Sequence, residues 1–100
     1  MLNIKKNVAG KDLTITLEGR LDTTTAPDLE SVVKEMVPDA ENLTIDIKDL
    51  AYISSAGLRV LLTAKKAMDK QGGNMVIKNA SEEVMMIFDV TGFSEILNIE

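Results

Sequence analysis

The chain has no cysteine, histidine or tryptophan, and its only aromatics are Tyr52, Phe88 and Phe93. Without cysteine there is no disulfide, no thiolate nucleophile and no cysteine-ligated metal. Without histidine, a serine activated by an imidazole base is excluded, as is a metal site built on imidazole. A zinc site made of carboxylates alone is not expected, so neither metal nor cofactor is expected. Basic residues are the minority, 11 against 16 acidic for a net charge of −5, which disfavours attraction to nucleic-acid phosphates or anionic lipid. No apolar run approaches a membrane span, and Met1-Leu2-Asn3-Ile4-Lys5-Lys6 has no apolar leader core, so the expectation is a cytoplasmic protein with no membrane partner.

What is present is aliphatic. Apolar residues make up 45% of 100 residues, enough for one core and too few for a second domain, so residues 1–100 are expected to form a single α/β unit. Leu2 and Ile4 alternate with polar neighbours, Ala9-Gly10-Lys11-Asp12 reads as a turn, and Leu13, Ile15 and Leu17 alternate with Thr14, Thr16 and Glu18. These are two strands. Thr25 is placed to cap a helix with Pro27 in its first turn and Leu29, Val33, Met36 and Val37 on one side, ended by Pro38. Leu43, Ile45 and Ile47 mark a third strand, and Lys48-Asp49-Leu50-Ala51 leads out of it.

A second helix follows, with Gly57, Val60, Leu61, Ala64 and Met68 at helical spacing, opposite Lys65, Lys66, Asp69 and Lys70, and Gly72-Gly73 ends it. Asn74 to Lys78 is a short strand. Ser81 caps a third helix carrying Glu82 and Glu83 first and then Val84, Ile87 and Phe88, with Met85-Met86 read as core filler first and adaptable interface second. Gly92 breaks it, and Phe93, Ile96, Leu97 and Ile99 form a packed tail. The order β-β-α-β-α-β-α predicts a mixed, mostly parallel sheet of four to five strands with helices packed against it.

The stretch richest in chemistry is Tyr52-Ile53-Ser54-Ser55-Ala56-Gly57-Leu58, a serine pair at a strand-to-helix turn. Helix N-termini tolerate negative charge, so the turn suits a phosphate, although capping is the commonest duty of serine there. Arg59 lies four residues after Ser55, about one turn on, where it could support an anion. A receiver-type phosphoryl carrier would need clustered acids at strand ends, and Asp46 and Asp49 form no such cluster. No phosphate loop of the nucleotide-hydrolase kind is present.

Two segments, Leu17-Glu18-Gly19-Arg20-Leu21-Asp22-Thr23-Thr24-Thr25-Ala26 and Tyr52 to Leu58, together with their spacing, resemble the STAS domain family, specifically the freestanding bacterial anti-sigma factor antagonists. The resemblance covers residues 2 to 99. It implies a binding protein and not an enzyme: the unmodified form binds an anti-sigma factor that is also a serine kinase, freeing a sigma factor, and phosphorylation switches binding off until a PP2C-type phosphatase resets it. Aligning Ala56-Gly57-Leu58 with the family's S/T-G-L places the phosphorylated residue at Ser55. Ser54 then stands where relatives carry Asp, and Ala56 where Ser or Thr is usual. Asp22, Thr24, Ser54, Ser55, Ala56, Gly57 and Arg59 are the expected partner-binding residues. The competing reading is a STAS scaffold that does not switch and serves another signalling assembly.

Overall fold

A computed structural model describes all of residues 1–100. Strand β1 (Leu2–Ala9) turns at Gly10-Lys11 into β2 (Asp12–Leu21), followed by α1 (Ala26–Met36) and a single 3-10 turn, Val37–Asp39. Then come β3 (Asn42–Ile53), α2 (Ser55–Lys70), β4 (Asn74–Lys78), α3 (Glu82–Thr91) and the short α4 (Phe93–Ile96). The sheet order is β1-β2-β3-β4, with β1 antiparallel to β2 and the other pairs parallel. The expected small α/β fold with a mixed sheet is observed, with four strands. Of the expected packed tail, Phe93, Leu97 and Ile99 pack on the core while Ile96 is exposed; Ile99 bridges Ile77 in parallel, the Ile77 N–H donates to Asn98 O at 2.9 Å, and the Glu100 N–H donates to Ile77 O at 2.8 Å.

Each crossover from β2 onward advances one position in the same direction, so right-handed connections put all the helices on one face of the sheet. Burial agrees. Leu13, Ile15, Leu17, Leu43, Ile45 and Ile47 are buried, while Thr14, Thr16, Thr44 and Asp46 on the opposite face are only half-covered. Leu29 and Val33 of α1, Leu61, Ala64 and Met68 of α2, and Val84 and Phe88 of α3 complete one continuous core. Gln71, just past α2, donates from Nε2 to Val37 O and Ala40 O at 2.8 and 2.7 Å, tying the end of α2 to the 3-10 turn.

Two sequence expectations change. Residues 48–51 are not a connection but part of β3, which runs to Ile53. Opposite Thr16–Glu18 and again opposite Gly19–Arg20, β3 carries one more residue than β2, so each irregularity is a bulge in β3. The bulges change the spacing of buried residues from two (Leu43, Ile45, Ile47) to three (Ile47, Leu50, Ile53), a pattern that no longer reads as a strand. Thr25 occupies the N-cap position of α1, but its side chain makes no capping bond. Its hydroxyl turns back instead, donating to Arg20 O at 2.9 Å and accepting from the Asp22 N–H at 2.8 Å, and the residue is buried.

Candidate functional site

Strands β2 and β3 end together, in register at Leu21 and Ile53, so the turn after each emerges at the same end of the sheet. The Ser54 N–H donates to Leu21 O at 2.8 Å, which fastens the two turns side by side. Asp22 and Ser54, far apart in sequence, are thereby the first residues of two adjacent turns. Each turn opens a helix.

In the first turn, Asp22 Oδ1 accepts from Thr24 Oγ1 at 2.7 Å, the Thr24 N–H at 3.0 Å and the Thr25 N–H at 3.1 Å. The Thr24 hydroxyl, helped by the Thr24 and Thr25 backbone bonds and opposed by partial desolvation, holds the Asp22 carboxyl below its usual value. The acid therefore shapes its own turn through one oxygen, and Oδ2 takes no hydrogen bond from the protein. Gly19 precedes it with φ +108, a backbone region that favours glycine, and a Cβ there would run into the Met1 carbonyl.

In the second turn, Ser54 is the N-cap of α2, its Oγ accepting from the Gly57 N–H at 3.3 Å. That leaves the Ser55 hydroxyl, on the first residue of the helix, exposed and uncommitted. No acidic side chain occupies the first turn of α2, so its positive end is not neutralised from within the helix. Ala56 is half-buried and Arg59 exposed, and both line a groove of about 190 Å³ between α1 and α2 with Thr23, Pro27, Glu30 and Thr63.

Gly57 has a different place from its neighbours. It is buried, and a Cβ on it would lie 2.6 Å from Leu21 Cγ and 3.0 Å from Ile53 Cγ1. Its missing side chain lets α2 close onto the ends of β2 and β3, so the accessible part of the site rests on Asp22, Thr24, Ser54, Ser55, Ala56 and Arg59. A larger hollow, about 240 Å³ between Val8, Lys11, Glu35 and Asp39, lies at the opposite end of β2 and takes no part.

Sequence reasoning missed one pair. The Arg20 guanidinium carbon lies 4.4 Å from the centre of the Tyr52 ring, and the two are cross-strand neighbours. Arg20 stands two residues before Asp22 and Tyr52 two before Ser54, so the equal offset from the two turns is the signal that would have found them. They set a cation and an aromatic edge beside the serine turn.

The structure is a two-layer α/β domain with paired turns at one end of the sheet, one carrying Asp22 and the other a serine pair at the start of a helix. Residues 3–100 match the STAS domain model, and the chain belongs to that family. It is 32% identical over 98 residues to the anti-sigma-B factor antagonist of Bacillus subtilis (strain 168), covering 98% of this chain and 88% of that protein. Among solved structures, an anti-sigma factor antagonist from Mycobacterium paratuberculosis superposes with a TM-score of 0.88 at 20% identity, covering 99% of this chain and 85% of that one. The phosphorylated form of the Bacillus cell fate determinant SpoIIAA superposes with a TM-score of 0.76 at 15% identity, covering 100% of this chain and 91% of that one. No helix is long and apolar enough to cross a membrane.

Proposed function

We propose that this protein is an anti-sigma factor antagonist whose binding is switched at Ser55. Its unmodified form docks the Asp22 and Ser54–Ser55 turns against an anti-sigma factor with serine kinase activity, and phosphoryl transfer to Ser55 Oγ ends the complex. A PP2C-type phosphatase removes the group. The observation that carries this reading is the division of labour in the serine pair: Ser54 caps α2, and Ser55 presents a free hydroxyl at an exposed position one residue on. The relatives' role as anti-sigma factor antagonists supports the choice of partner.

Phosphorylation adds about −1.5 to −2 charges at pH 7. The N–H groups of α2 compensate that charge locally, since no acid competes in its first turn, so the fold tolerates it. At the interface it adds to the charge of the already ionised Asp22 across the paired turns and must be desolvated if the partner is to stay, which favours release. Ser54 in place of the family's Asp keeps the cap without a second fixed negative charge. Binding, not catalysis, is the activity.

The test is affinity of a cognate anti-sigma kinase for three variants. Ser55→Ala is expected to bind as tightly as the unmodified chain and to resist ATP-dependent release, whereas Ser55→Asp and Ser55→Glu bind at least about tenfold more weakly. Intact-mass measurement after incubation with the kinase and ATP is expected to show one added phosphate on the native chain and none on Ser55→Ala. A native chain that binds but gains no phosphate would establish the non-switching scaffold instead.

A further inference from the structure

The net charge of this protein is not spread over it. Glu82, Glu83, Asp89, Glu95 and Glu100 lie in residues 79–100 with no lysine or arginine among them, which leaves eleven acids and eleven bases in residues 1–78. The whole −5 therefore belongs to α3, α4 and the tail. On the outer side of α3, Met86 is 65% and Val90 78% exposed. They stand four residues apart and so form one stripe along the helix. Glu82 and Glu83 precede Met86 by one turn and Asp89 follows it by three residues, so the stripe is bordered by carboxylates, all exposed. The last turn of α3 holds no basic residue, so the negative end of its dipole adds to Asp89.

We infer that this outer face of α3 is a second docking surface, separate from the Ser55 turn, for a partner protein that presents a basic amphipathic helix. Charge complementarity selects that occupant. The apolar side of such a helix covers Met86 and Val90, while its lysines or arginines reach the flanking carboxylates and the carbonyl end of α3. A second copy of this chain would bring the same acidic border against itself, and an anionic lipid surface would be repelled. Methionine is suited to the role because its unbranched thioether adapts to the shape of what covers it, and Met85 beside it is already packed on the core.

The test uses the full chain, isotope-labelled, titrated with a synthetic leucine-lysine peptide of about 18 residues, about five helical turns, patterned for one apolar and one basic face. A twin peptide with glutamate for lysine is the control. The expected result is amide shift changes confined to residues 82–97, none with the acidic twin, and affinity about tenfold lower for the double variant Met86→Ser, Val90→Ser. That variant keeps every charge and alters only exposed positions, so undirected attraction to an acidic protein would leave its affinity unchanged and overturn the proposal. Shifts centred on the Asp22 and Ser55 turns, equal binding of the acidic twin, or concentration-dependent self-association through residues 82–97 without peptide would overturn it too.

Discussion

Asp22 spends one carboxylate oxygen on four donors from Thr24 and Thr25, and this local commitment links its ionisation to the stability of the turn. Its pKa in the folded chain is lowered, first by the Thr24 hydroxyl, so the ionised network contributes stability above the unfolded value of about 3.9 and loses it as pH falls through the folded value. Asp22→Asn removes this linkage. Its urea midpoint is expected to fall less steeply than that of the native chain as pH drops from about 4 toward the lowered folded value, and parallel curves would place the acid sensitivity elsewhere. At the same scale, the serine pair shows what one position decides. Ser54 is spent on the Gly57 N–H, and Ser55 is not spent at all. The sequence alone left the cap open between them, because both choices satisfy the same local chemistry and only backbone geometry separates N-cap from first turn.

Between elements, the site depends on how closely α2 sits on the ends of β2 and β3. Gly57 is the contact point, and its place against Leu21 and Ile53 leaves no room for a methyl group. Gly57→Ala is expected to cost about 1–3 kcal/mol in urea unfolding, since the new methyl group would push against Leu21 and Ile53, both buried in the core. The same variant is expected to shift the amide resonances of Ser54 and Ser55, because the helix start must back away from the strands. A stability change below about 0.5 kcal/mol would show that the junction is looser than described. Helices α2 and α3 and strand β4 were legible because each keeps its own period and carries its own cap or stop, Ser81 and Gly72-Gly73 among them. The end of β3 was not, because a bulge is a property of a strand pair. Ile47, Leu50 and Ile53 fall on one face only when β2 lies alongside with fewer residues.

Over the whole molecule, the final residues close the sheet. Leu97 is buried, and the backbone around Ile99 bonds to the outer side of β4, so that strand has no free edge at Ile77. Removing Leu97 to Glu100 is expected to destabilise the chain by about 2 kcal/mol or more from the lost burial of Leu97 alone. It is also expected to promote self-association, since the uncovered β4 presents unpaired backbone groups. Urea unfolding and sedimentation check the two effects separately, and a truncated chain as stable as the native one would show that the tail is only draped on the sheet.

By itself the sequence determined the chemistry that is absent, the aliphatic core, the order and kind of most elements, the family resemblance and the candidate hydroxyl at Ser55, because these are written in residue type and in short periodicities. Tertiary structure alone decided that Asp22 and Ser54 stand side by side, that Arg20 lies over Tyr52, that Gly57 is a packing residue, and that Met85 packs half-buried against the core while Met86 is exposed. The reason is physical. Each of these follows from strand register and helix-to-sheet distance, which are set by pairings between residues about thirty positions apart and leave no periodic mark in the chain.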